Sequence, residues 1–112
     1  MRKRYEIKAT CYDYKGKVLS KGCNNYSKSH PLAKHFAVLA GESQDKVYLH
    51  AELDACLKAG GKKIHEVKVE RKHNDGTMAN AEPCRTCKVM LRAFGVKKVK
   101  YSHEDGWKTF DF

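Results

Sequence analysis

Strand-like and helix-like stretches alternate along this 112-residue chain, and that alternation constrains the fold more than any other feature. Residues 5–12 and 17–23 are strand-like with a turn between them, so a β-hairpin is predicted near the start. Three later stretches have helical spacing, residues 31–41, 50–60 and 84–94. Three more are strand-like, residues 64–69, 96–101 and 107–112. Because strand–helix–strand connections of this length join parallel strands, one α/β domain over residues 1–112 is predicted.

The chain lacks the segments that would take it into or across a membrane. No run approaches the ~18 apolar residues of a membrane span. The first residues are basic and then alternate, without the apolar region of a secretory signal. A cytoplasmic protein with no membrane contact is therefore expected.

Basic residues outnumber acidic ones, 23 to 13, which gives a formal net charge of +10. They concentrate in two blocks: residues 1–35 hold nine basic and two acidic side chains, and residues 61–103 hold eleven and four. Such a surface attracts anions such as nucleotides or a nucleic acid, although charge at this level also serves solubility alone.

The five cysteines are an odd number, and in a reducing compartment a disulfide framework is not expected. Cys11, Cys23 and Cys56 lie in apolar or strand-like surroundings and are predicted to be small buried hydrophobic residues. Cys84 and Cys87 differ, because they form a C-x-x-C motif directly behind a proline.

Two short motifs at predicted helix starts carry the chemistry. Residues 50–52 read His-Ala-Glu, and residues 83–87 read Pro-Cys-Arg-Thr-Cys. The imidazole of His50 and the thiolates of Cys84 and Cys87 are a ligand set that suits Zn²⁺. Cysteines three apart on one helical turn point to the same side. Three protein ligands leave the fourth tetrahedral position open, which is typical of a catalytic zinc site.

Glu52 is predicted to be the catalytic residue. Its spacing from His50 does not put both side chains on one helical face, so a shared ligand role is less natural than a division of labour. In that division His50 holds the metal and Glu52 moves protons for the water that zinc activates.

These motifs carry a resemblance to a known family. The pattern H-x-E followed by P-C-x-x-C is the signature of the zinc nucleobase deaminases. The chain resembles the cytidine/deoxycytidylate deaminase superfamily, most closely the short phage-type members, which share the character of residues 22–31. The resemblance implies a cytidine-deaminase-like three-layer α/β/α fold with a mixed five-stranded sheet. It also implies hydrolytic deamination, of cytosine to uracil or of adenine to hypoxanthine.

The chain departs from that family at its start. Family members commonly begin with a helix before the first strand, and here the strand-like pattern comes first. Either the helix predicted at residues 31–41 or a neighbouring subunit of a homo-oligomer is expected to supply the missing cover.

The resemblance implies further contacts with the substrate. It places an asparagine after the second strand against the sugar, and Asn24 fits that place better than Asn25. Ala51 is expected beside the base, and Lys28 and His30 are candidates for a phosphate. The C-terminal aromatic residues, Trp107, Phe110 and Phe112, are either a base-stacking platform or edge-strand packing.

The substrate itself stays open at this point. Cytosine in a (deoxy)cytidine nucleoside or nucleotide, or in single-stranded nucleic acid, is the favoured target. An adenosine deaminase acting on tRNA and an inactive zinc-containing nucleic-acid-binding relative are the alternatives. A structural zinc site would need a fourth ligand, for which Cys56 and His65 are the candidates, and a redox C-x-x-C would leave His50 and Glu52 unexplained.

Overall fold

The computed structural model describes residues 7–24, 31–41, 50–73 and 75–112. The strands in these ranges are β1 Ile7–Tyr12, β2 Val18–Cys23, β3 Glu66–Lys72, β4 Met78–Ala79, β5 Lys98–His103 and β6 Gly106–Asp111. The helices are α1 Pro31–Leu39, α2 Ala51–Lys58 and α3 Arg85–Ala93. None of the helices described here is long and apolar enough to cross a membrane.

The strands form one mixed sheet in the order β2-β1-β3-β5-β6, with β4 paired to β3. β1 is antiparallel to both β2 and β3, and β6 is antiparallel to β5. β3 and β5 are parallel because α3 lies in the connection between them, as the alternation of elements predicted. The α/β fold with a mixed sheet is confirmed.

The predicted hairpin forms, and one strand is added to those predicted. The carboxylate of Asp13 accepts hydrogen bonds of 2.9 Å from the backbone N–H groups of Lys15 and Lys17 and so fixes the first turn. β4 was not predicted, because a two-residue strand is too short to show alternation. The sequence also predicts a brief extended stretch at residues 46–49, which lies outside the described residues.

The described helices share one face of the sheet. Alternate residues of the central strands point to this face and are buried, namely Ala9, Cys11, Val67, Val69 and Val99. They join the helices in one apolar cluster that includes Leu53 of α2 and Met90 and Leu91 of α3. α1 packs against α3, where the rings of Phe36 and Phe94 lie 6.4 Å apart. α1 therefore does not cover the opposite face, so the described part of the chain forms two layers.

Gly22 sets how closely α2 approaches the sheet. A Cβ atom at this position would lie 2.7 Å from the carbonyl oxygen of Ala51 and 2.8 Å from the Cα of Ala55, and would also collide with the Ala55 nitrogen. These are backbone atoms of the helix and cannot rotate away. Around the glycine, the Ser20 hydroxyl donates to the Ala55 carbonyl at 2.7 Å, and the Cys23 N–H donates to the Asp54 carboxylate at 3.0 Å.

We predict that Gly22→Ala destabilises the protein by about 3 kcal/mol, the upper part of the range for overpacking, because a backbone must move to admit the methyl group. Lys21→Ala, at the exposed neighbouring position of the same strand, should change the free energy of unfolding by less than about 0.5 kcal/mol. Urea denaturation of both variants measures this. Equal stability of the two variants would show that the close approach of α2 to β2 is wrong.

Candidate metal centre and active site

The N-termini of α2 and α3 bring the two sequence motifs together. His50 and Cys84 occupy the N-cap positions of these helices with extended backbone angles, and neither side chain caps its own helix. Ser, Thr, Asp and Asn are the usual N-cap residues because their side chains bond the first free N–H groups. A histidine and a cysteine in these places leave their side chains directed to other partners.

Those partners are each other. The Nδ1 atom of His50 lies 3.3 Å from the Sγ of Cys87 and 3.9 Å from the Sγ of Cys84. All three donor atoms lie within 4.8 Å of one another. Zn–N and Zn–S bonds of ~2.05 and ~2.3 Å at a tetrahedral angle place nitrogen and sulfur about 3.6 Å apart. The two observed separations bracket that value, so the spacing of the three side chains is compatible with a zinc ion.

The centre is buried on one side and open on the other. Cys87 is buried, His50 is half-buried and Cys84 is exposed. A group bound here would be reached from the side of Cys84. The two thiols are correspondingly different: a hydrogen bond from Cys87, opposed by burial and aided by His50, lowers the pKa of Cys84 to about 4. The pKa of the more deeply buried Cys87 is raised by Cys84 and by burial.

The same contacts also act on the imidazole of His50. Burial alone lowers the pKa of His50, but the hydrogen bond and charge of Cys84 and the charge of Glu52 outweigh burial and raise it. A metal requires neutral histidine and ionised cysteine, so binding of a cation at these side chains would release protons from them.

Glu52 lies beside the three donors in the first turn of α2. Its side chain is buried, with 5% of the residue exposed, and that burial raises the pKa of its carboxyl group. The nearby His50 and a hydrogen bond with the Cys87 thiol lower the pKa without reversing the effect. A buried carboxyl group with a raised pKa beside a cluster of metal-ligand type is a common feature of catalytic acid–base sites.

The other predicted site residues have different positions. Ala51 is buried at the start of α2, against β2. The Asn24 side-chain oxygen accepts a hydrogen bond of 3.1 Å from the N–H of Ile7, so it closes the end of the β1–β2 pair. Lys28 and His30 lie outside the described residues.

The candidates for a fourth protein ligand are not part of the cluster. Cys56 is buried and its thiol hydrogen-bonds to Cys11, on the sheet side of α2. His65 is exposed just before β3, where its backbone N–H donates to Tyr12. Among the described residues, the group able to hold a metal consists of His50, Cys84 and Cys87.

Sequence reasoning missed the residues that hold α2 in place. Gly22, Ser20 and Asp54 are not members of the metal-ligand cluster, yet they fix the helix that carries His50 and Glu52. One signal was available: a glycine inside a strand often marks a place where another backbone approaches closely.

Comparison with solved structures supports the fold. A crystal structure of a Glu-to-Gln mutant of cytidine deaminase from Mycobacterium tuberculosis matches with a TM-score of 0.52 and 21% sequence identity. The match covers 94% of this chain and 72% of that one. Comparison with curated proteins gives no significant match.

Comparison with family models gives a match that contains both sequence motifs. The model that matches describes the cytidine and deoxycytidylate deaminase zinc-binding region, and the match covers residues 3–103. This span includes both helix starts and every described strand except β6. The chain thus belongs to the cytidine and deoxycytidylate deaminase family, and the cluster at the starts of α2 and α3 is compatible with the zinc ion of such a deaminase.

Proposed function

We propose that this protein is a hydrolytic deaminase that converts cytosine to uracil in a (deoxy)cytidine nucleoside or nucleotide, or in single-stranded nucleic acid. In this proposal His50, Cys84 and Cys87 hold the zinc ion and Glu52 is the catalytic residue. One observation carries it: a buried carboxyl group stands beside three donor atoms that are spaced for zinc and open to solvent on one side.

Zinc in such a site lowers the pKa of a water molecule towards ~7 and so makes a nucleophile available at neutral pH. The Glu52 carboxylate takes a proton from the water that attacks the base, and returns it as the exocyclic amino group leaves as ammonia. A carboxyl group that is easily protonated suits this exchange, and burial raises the pKa of Glu52 in that direction.

The two helices assist by their direction. The first turns of α2 and α3 present free backbone N–H groups and the positive ends of two helix dipoles to the same place. A positive helix end favours an ionised thiolate, which a metal ligand requires. The pKa of Cys84 is lowered to about 4, mainly by its hydrogen bond with Cys87 and further by His50.

Asn24 and Ala51 are proposed to contact the substrate. The position of β2 supports this, because Gly22 lies against both Ala51 and Ala55 of α2. Asn24 follows directly after β2 in the chain. Lys28 and His30 are proposed as phosphate contacts from the sequence alone.

A panel of substrates tests this function. The zinc-loaded protein is incubated with cytidine, deoxycytidine, deoxycytidylate and a cytosine-containing single strand, and uracil formation is followed. A matched strand with adenosine in place of cytosine reports hypoxanthine, the product of the adenosine-deaminase alternative. If protein with stoichiometric zinc converts none of these substrates, the chain is the inactive relative.

We predict about one zinc ion per chain in the purified protein. Cys84→Ser and Cys87→Ser should each lose most of it, because each removes one of three ligands. Cys23→Ser is the matched control, since Cys23 is not part of the cluster and is exposed on β2, so the prediction that it is buried is wrong. Inductively coupled plasma mass spectrometry measures the zinc content per chain. Wild-type zinc content in both cluster variants would rule out this ligand set.

We predict that Glu52→Gln lowers turnover at least ~100-fold while zinc content and folding are retained, because the amide cannot accept and return a proton. Glu104→Gln is the control: it is the same change at a carboxylate that is 70% exposed, in the turn between β5 and β6. Its turnover should stay within a few fold of wild type. Wild-type turnover by Glu52→Gln at equal zinc occupancy would contradict the mechanism.

A further inference from the structure

The face of the sheet opposite the described helices carries a row of three lysines and two threonines that runs across the strands. Strand register aligns five residues across it, one from each main strand, in the order Lys21, Thr10, Lys68, Lys100 and Thr109. We call these residues the lysine row. Neighbouring strands lie ~4.8 Å apart, so the row spans about 19 Å. None of the described helices covers it.

The lysine row contains no carboxylate, whereas the rows on both sides of it on the same face do. On one side Lys98 lies between Glu66 and Asp111 in the register, and on the other side Lys8 is the partner of Glu70. In contrast, Lys68 and Lys100 are direct partners on β3 and β5, and neither forms an ion pair with a described residue. Like charges directly opposite each other destabilise a sheet. A row of this kind is compensated when an external anion binds it.

An aromatic ring lies within this charge. Trp107 on β6 pairs with Ser102 and points to the same face as the lysine row. The ammonium of Lys68 lies 4.6 Å from the centre of its ring and that of Lys100 lies 5.4 Å from it. Both distances allow cation–π attraction, which holds the ring in place on the sheet. The residue remains 39% exposed, which is high for a large apolar side chain.

We propose that this open sheet face binds single-stranded nucleic acid, with Trp107 stacking on a base and the lysine row contacting the phosphates. A strand of unpaired nucleotides offers both partners at once, since its phosphates are regularly spaced and its bases have free faces. A duplex presents phosphates but no free base faces. A sheet that carries aromatic and basic side chains is an established way to bind single strands. The site lies on the sheet face, apart from the metal cluster, and does not depend on the proposed deaminase activity.

The test uses the zinc-loaded full chain and a 12-nucleotide oligothymidylate. This probe contains no cytosine, so it is not a substrate of the proposed reaction. Trp107 is the only tryptophan of the chain, and quenching of its emission therefore reports contact at this face. Anisotropy of a labelled strand gives the affinity and its dependence on salt. We expect the quenching of Trp107 to saturate, and the affinity that it gives to equal the affinity measured by anisotropy.

Three variants separate the contributions. Lys68→Gln/Lys100→Gln should weaken binding at 50 mM salt by at least 10-fold and make the slope of log affinity against log salt shallower by about 1.4, for two phosphates lost. Trp107→Leu should weaken binding at least 5-fold, the lower range for a stacked base, with little change in slope. Lys62→Gln/Arg92→Gln removes the same charge from exposed helix-side positions and should change affinity less than 3-fold.

Thermal denaturation and zinc content confirm that each variant is folded. The proposal is overturned if the wild type shows no quenching at 50 mM salt, or if the row variant and the control variant lose affinity equally. It is also overturned if a duplex of equal length or anionic lipid vesicles bind as tightly as the strand. If the protein is a dimer in solution and the oligonucleotide does not change its Trp107 emission, the face belongs to an interface with a second copy, and the proposal is overturned.

Discussion

The close contact between α2 and β2 is the constraint on which the site depends. Gly22 has no side chain, and so the backbone of α2 lies directly against the strand at Ala51 and Ala55. This contact places the start of α2, and with it His50 and Glu52, at a fixed distance from the sheet. The start of α3 is positioned by a separate device, the crossover between the parallel strands β3 and β5. The donor atoms meet because both constraints hold together.

The two positions at which helices usually cap themselves are used here for a different purpose. His50 and Cys84 leave the first N–H groups of α2 and α3 without a side-chain cap. Loss of a cap typically costs ~1 kcal/mol. Their side chains instead lie close together, with the Nδ1 atom of His50 3.9 Å from the Sγ of Cys84 and 3.3 Å from the Sγ of Cys87. The two helix starts are therefore less stable than capped ones, and their side chains are available to bind a metal, as is common at functional sites.

Much of this could be predicted from the sequence because its signals are local. Alternation marked the strands, helical spacing marked residues 31–41 as a helix, and the spacing of Cys84 and Cys87 placed both thiols on one helical turn. What could not be predicted depends on contacts between distant segments. The packing of α1 against α3 through Phe36 is one example, since the helix pattern does not say which face of the sheet it will cover.

The lysine row is another example of a feature that depends on register. Lys21, Lys68 and Lys100 are scattered along the sequence and stand in line only when three strand pairings are known. In the sequence they contributed only to the net charge, which is equally consistent with solubility. The sheet face that the described helices leave uncovered and the metal cluster are separate features, and the first does not require the second to be catalytic.

The most direct test of the account is the ligand environment of zinc, measured by X-ray absorption at the zinc edge on the metal-loaded protein. The geometry of His50, Cys84 and Cys87 predicts two sulfur neighbours at ~2.3 Å and two lighter neighbours, nitrogen and oxygen, at ~2.0–2.1 Å. The oxygen would mark the open position that hydrolysis needs. Three or four sulfur neighbours would contradict the account, because the site would then be closed by protein ligands and structural.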